Sequence, residues 1–117
     1  MELNYFREDR PWGYYRILIE TPNYKVKEMV IRPSQRVSYQ LHHKRSEHWF
    51  VVQGEATVTR DDQEVVLKTG ESVNLPVGTK HRVANQGSED LIFVEVQTGT
   101  YFGEDDIVRL GDDYNRV

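Results

Sequence analysis

Apolar and polar positions alternate with a period of two along most of this chain, in short runs broken by Gly, Pro, Asn and Asp. Successive side chains of a strand point to opposite faces, so the pattern reads as strands with one face turned to a core. The runs are 13–20 (GYYRILIE), 24–32 (YKVKEMVIR), 37–42 (VSYQLH), 47–53 (EHWFVVQ), 55–60 (EATVTR), 64–67 (EVVL), 72–75 (SVNL), 81–84 (HRVA) and 91–97 (LIFVEVQ). Between them, Thr21-Pro22-Asn23, Pro33-Ser34, Gly54, Asp61-Asp62 and Pro76-Val77-Gly78-Thr79 are turn signals, and Asp61-Asp62 marks a hairpin. Residues 104–110 carry a weak helical pattern. Nine or ten closely spaced strands predict an all-β sandwich or barrel rather than a parallel α/β sheet.

The 117 residues fit one domain with a modest core, and no repeat or linker divides 1–117. A net charge of -4 argues against nucleic acid and anionic membrane as partners. Without cysteine there can be no disulfide, thiolate metal site or cysteine nucleophile. Residues 1–10 are too polar for a signal peptide, and no apolar run could span a bilayer, so a cytoplasmic location is expected.

Four histidines bring the candidate chemistry. His42, His43 and His48 lie within seven residues, and His81 is far along the chain. On a strand, Gln40 and His42 share a face. Glu47 follows across a short turn, and His81 follows the turn at 76–79. Two imidazoles, a carboxylate and an amide oxygen suit a first-row divalent metal, and these donors accept Zn, Mn, Fe, Co or Ni. Histidines in isolation are mostly surface or core residues, so the argument depends on spacing.

Residues 34–54 read S-x5-Q-x-H-x4-E-x6-G, and residues 70–85 read G-x5-P-x-G-x2-H-x3-N. Together they resemble the two signature motifs of the cupin superfamily, whose fold is a double-stranded β-helix or jelly-roll barrel. The second motif matches at Gly70, Pro76, Gly78, His81 and Asn85. The first has Ser34 where Gly is usual and Gln40 where a histidine is usual.

Further segments narrow the resemblance: RPWG at 10–13, QLHHKRSEHW at 40–49, EVQTG at 95–99 and YFGEDDIVR at 101–109. They are similar to the C-terminal isomerase domain of type II mannose-6-phosphate isomerase/mannose-1-phosphate guanylyltransferase proteins, from Arg10 to Arg116. Lys44 stands where histidine is common, and Asn115 where Gly precedes Arg116. No Gly-rich nucleotide loop is present, so the expectation is a stand-alone isomerase domain without guanylyltransferase activity.

The resemblance implies interconversion of mannose 6-phosphate and fructose 6-phosphate, with zinc held by Gln40, His42, Glu47 and His81. Of the cations Arg36, Lys44, Arg45, Lys80, Arg82 and Arg109, the expected phosphate or sugar contacts are Lys44 and Arg109. Arg82 neighbours His81 and should face the opposite way. Glu95 and Gln97 share one strand face, and Val94 and Val96 the other. Glu95 is the candidate general base if its face lines the cavity, and a surface residue if it does not. His48 should point away from the metal, and Trp49 should pack inside the barrel. Two histidines and one carboxylate also meet the ligand count of a non-haem Fe(II) dioxygenase, and a non-catalytic sugar-binding module is a further alternative. A homodimer paired through open sheet edges is expected.

Overall fold

A computed structural model describes residues 6–114. The chain termini on either side, including Asn115 and Arg116 of the tail resemblance and half of the polar N-terminal stretch, lie outside the described residues. Eleven strands follow one another: β1 (Arg7–Arg10), β2 (Gly13–Glu20), β3 (Tyr24–Ile31), β4 (Tyr39–Leu41), β5 (Arg45–Gln53), β6 (Ala56–Arg60), β7 (Gln63–Leu67), β8 (Ser72–Leu75), β9 (His81–Ala84), β10 (Leu91–Gly99) and β11 (Val108–Gly111). They form two antiparallel sheets, ordered β1-β2-β3-β10-β5-β8 and β11-β4-β9-β6-β7. This is the all-β fold expected from the alternation, in the jelly-roll form that the cupin resemblance implies.

The inward positions of both sheets make the core. Trp49, Val51, Leu91 and Phe93 come from the larger sheet, and Val58 and Val83 from the smaller. Trp49 and Phe93 stack with ring centroids 4.9 Å apart. On β10 the inward set continues with Glu95 and Gln97, both buried, while Val94 and Val96 face outward and are half-buried. Of the two readings of that strand, the polar face therefore points into the barrel. Glu95 lies opposite Lys27 on β3 and Trp49 on β5, and Gln97 opposite Lys25 and Glu47.

Several boundaries differ from the pattern. The strand read at 37–42 is regular only at Tyr39–Leu41, because Arg36 and Val37 bond separately to β9 through an Arg36–Ala84 bridge and a Val37 N–H to Val83 carbonyl bond of 3.1 Å. β5 starts at Arg45, two residues before Glu47, so Glu47 sits inside a strand. The helical reading of 104–110 is overturned. A turn closed by the Asp106 N–H on the Gly103 carbonyl (3.2 Å) leads into β11, which pairs with the edge of β4. That pairing satisfies the backbone of a segment too short and too poor in apolar residues to support a helix. β1 was not expected, and its exposed polar residues carry no alternation.

Local conformations follow turn chemistry. Asp61 and Asp62 both have positive φ (48° and 68°), as a two-residue hairpin loop requires. Ser34 has φ 67°, which explains why glycine suits that position. Among the described residues no helix is long and apolar enough to cross a membrane.

Candidate metal centre and cavity

The irregular stretch between β4 and β5 delivers His42, and β9 delivers His81. Gln40 is the cross-strand partner of His81 on one side and of Arg109 on the other. The turn at 76–79 sets this geometry. Gly78, at φ 80°, donates its N–H to the His42 carbonyl (2.9 Å), and the Thr79 carbonyl accepts from His81 Nδ1 (2.9 Å). His42 Nδ1 donates to the Asp106 carbonyl (2.6 Å). With both Nδ1 atoms held by carbonyls, both rings turn Nε2 toward Glu47, as hydrogen-bonded oxygens orient metal-binding imidazoles.

One donor atom from each of His42, Glu47 and His81 lies within 4.8 Å of the others, and all three residues are buried. Glu47 Oε2 is 3.1 Å from His42 Nε2, and Glu47 Oε1 is 3.9 Å from His81 Nε2. His81 Nε2 has no hydrogen-bond partner although it is buried. An unpartnered buried lone pair beside a carboxylate and a second imidazole fits a divalent cation. Burial lowers the His81 pKa and favours the neutral, ligating form. Burial alone would raise Glu47, but hydrogen bonds from Glu95 and His42 and the nearby imidazoles hold it well below the ordinary carboxylate range. Glu95 is pushed well above that range by burial and by the charge of Glu47, so one carboxyl of the pair is ionised and the other is protonated.

Trp49 packs inside the barrel as expected, edge-on to His81, and its indole N–H also holds Glu47 Oε1 at 3.0 Å. His48 points to the outer face and bonds Asn74. Arg82 turns its guanidinium to the Val37 and Gly111 carbonyls, away from His81 as expected.

A cavity of about 110 Å³ opens beside the cluster. Gln40, His42, Glu47, Glu95 and Arg109 line it, so every expected site residue except His81 and Lys44 reaches its wall. His81 stands just behind, its ring 5.1 Å from that of His42. Lys44 is exposed, with its ammonium over the Tyr101 ring at 5.0 Å, and the structure does not bring it to the cavity. Arg36 and Lys80 are likewise spent on exposed pairs with Asp113 and Asp62.

Sequence reasoning named Arg45 among the cations without giving it a role, and missed Lys27 and Asp106. Arg45 is buried and donates to Glu47 Oε2 (2.8 Å) and the Gly103 carbonyl (3.3 Å), with Nη2 3.4 Å from His42 Nε2. Lys27 lines the cavity from β3 and bonds Glu104. Asp106 accepts the His43 and Lys44 N–H groups (3.0 and 2.9 Å), fixing the turn that carries His42. The lysine alternation on β3 was a legible signal that those ammoniums share a face, but which face is inward depends on the sheet packing.

A double-stranded β-helix with a buried His/Glu cluster at one side of its interior defines a cupin. The match to Mannose-6-phosphate isomerase C-terminal spans residues 2–112, and the chain belongs to that family. It is 45% identical over 108 residues to the Xanthan biosynthesis protein XanB of Xanthomonas campestris pv. campestris (strain B100), covering 92% of this chain and 23% of that protein. It is 43% identical to a Mannose-1-phosphate guanylyltransferase of Escherichia coli (strain K12), again over 92% of this chain and 23% of the relative. The chain thus spans under a quarter of the length of these relatives. Among solved structures, the capsular polysaccharide assembling protein CapF from Staphylococcus aureus superposes with TM-score 0.79 at 21% identity, over 94% of this chain and 35% of CapF. KdgF from Halomonas sp. superposes with TM-score 0.76 at 18% identity, over 88% and 94%. These two likenesses show the fold.

Proposed function

We propose that this domain interconverts mannose 6-phosphate and fructose 6-phosphate in the cytoplasm, using a divalent metal held by Gln40, His42, Glu47 and His81. The carrying observation is a single cavity that joins the His/Glu cluster to the guanidinium of Arg109, whose buried Nε has no partner. Family resemblance favours zinc, and Mn, Fe, Co or Ni suit the same donors. When bound, the ion supplies Lewis-acid polarisation of the sugar oxygens and offsets negative charge developing on them.

Glu95 moves the proton in this reading. It lies inside the cavity, beside Glu47, and the Glu47 charge that keeps it protonated is offset once Glu47 holds a cation. Ionised Glu95 takes the C2 proton of the aldose and returns it to C1, while a hydroxyl proton passes from O2 to O1. Arg109 orients the anionic sugar, and the packed aromatic wall of Trp12 and Trp49 excludes water. The partner is a small phosphosugar rather than nucleic acid or membrane. A second copy pairs along an open edge such as β1, which sedimentation of the pure protein would test.

The test is isomerase activity of protein stripped of metal and reloaded with Zn, Mn, Co or Fe. Metal-dependent turnover that is lost in His42→Ala and in Glu95→Gln is expected. Stoichiometric metal binding without turnover for any ion would overturn the proposal. Oxygen consumption on loading with Fe would point instead to the dioxygenase chemistry that two histidines and a glutamate also allow.

A further inference from the structure

The wall of the cavity that β3 and the end of β1 supply is rich in cations. Lys25 and Lys27 are both buried, at 3% and 4% exposure, and share one carboxylate, Glu104, at 3.1 and 2.5 Å. Two ammoniums against one carboxylate leave a surplus positive charge, which Glu95 opposite Lys27 meets only while it is itself ionised. Arg10 adds a guanidinium on the same wall, with Nη2 on the Tyr15 hydroxyl at 3.2 Å. From the other sheet Arg109, opposite Gln40, brings a buried Nε without a partner to the same cavity. An uncompensated buried charge is costly unless a ligand neutralises it.

We propose that Lys27 and Arg10, with Arg109 facing them, form the phosphoryl subsite of this cavity and select a phosphomonoester over a neutral sugar. The inference deepens the phosphosugar reading and rests on it only for the organic part of the ligand. Lys27 is suited to the role. Its ammonium sits 4.0 Å from the Tyr15 ring centroid and uses one carboxylate oxygen, leaving donor capacity for an anion. Arg10 supplies a planar fork that matches phosphate oxygens. The spacing also suits a sugar phosphate. Lys27 lies opposite Glu95 on β10, which lies opposite β5, the strand of Glu47. Two strand spacings of about 4.8 Å each separate β3 from β5. A six-carbon chain covers that separation when its first carbons are at the ligand cluster and its sixth carries the phosphoryl group. The subsite replaces Lys44, which stands outside the cavity.

Metal-free protein titrated with inorganic phosphate at constant ionic strength provides the test, because Trp12 and Trp49 both line the cavity and report on it by fluorescence. Saturable phosphate binding is expected, weakened at least tenfold in Lys27→Met and in Arg10→Gln and unchanged in the surface variant Lys68→Gln. Arg10 is at the partly exposed rim, so Arg10→Gln carries the test if Lys27→Met fails to fold. Wild-type phosphate affinity in the folded variants, or no saturable binding at all, overturns the subsite. Isomerase turnover separates the two claims. Phosphate binding without turnover sinks the isomerase reading alone, and turnover with an unchanged KM in both variants sinks the subsite alone.

Discussion

Asp106→Ala tests whether the segment after β10 holds the metal loop in place. The Asp106 carboxylate is 8% exposed and accepts two backbone N–H groups, from His43 and Lys44, while its own carbonyl holds His42 Nδ1. Hydrogen bonds to a charged group contribute about 1.5–3 kcal/mol each, but His43 and Lys44 are exposed and water can replace part of the loss. The expected destabilisation is therefore about 2 kcal/mol for the pair. For a domain of this size that lowers Tm by roughly 8 °C. The Asp106 carbonyl that holds His42 Nδ1 remains in the variant, so metal affinity should fall only through loosening of the turn, by less than the roughly 10–100-fold that follows removal of a ligand's outer partner. Thermal unfolding by circular dichroism and calorimetric metal titration measure the two effects. The pH dependence adds a signature. Burial would raise Asp106, but the two amides, the neighbouring His42 and the Arg45 guanidinium hold it below its ordinary 3.8. Its contribution is thus complete above that value and disappears as pH falls through the folded value, so variant and wild type converge in acid. A variant melting within about 2 °C of wild type at neutral pH, with unchanged metal affinity, would refute the reasoning.

Three further outcomes are expected. His81→Ala should abolish stoichiometric metal binding by elemental analysis while the β spectrum persists, and full metal content would sink the ligand assignment. Ser34→Gly should raise the unfolding free energy by up to about 1 kcal/mol, read as a higher urea midpoint, since it relieves a left-handed serine at some cost in unfolded-chain entropy; a lower midpoint would contradict it. Glu104, opposed by burial but drawn down by Lys27 and Lys25 to a pKa of about 2, should stabilise the fold fully above its ordinary 4.5 and progressively less down to pH 2. Glu104→Gln should therefore be destabilising at pH 7 and near neutral at pH 2; its side chain is 42% exposed, so salt should diminish the difference. A pH-independent difference in unfolding free energy would exclude that linkage.

The two-residue alternation was enough to place nearly every strand, because a half-buried antiparallel sheet demands it. It failed where alternation is not what decides. β1 is a polar edge strand that exists because β2 offers it a ladder, and β11 exists because β4 does. Residues 104–110 had no contrast strong enough to separate a turn and short strand from a helical turn, and pairing with β4 made the choice.

Site residues divide the same way. Gln40, His42, Glu47 and His81 were legible as candidates because turn residues and spacing constrain metal donors within short segments. Glu95 was ambiguous, since period two says which residues share a face but not which face is inward; packing of β10 between β3 and β5 turned it into the barrel. Lys44 and Lys27 show the limit most plainly. Proximity in sequence to His42 favoured Lys44, yet the turn projects it outward over Tyr101. Lys27 is distant in sequence and reaches the cavity through the order of strands in the larger sheet. The sequence by itself determined strand periodicity, turn positions and the candidate donor types, because these depend on residues a few positions apart. Only the tertiary structure decided which charges share the cavity, because that depends on which strands become neighbours and which face of each sheet closes on the other.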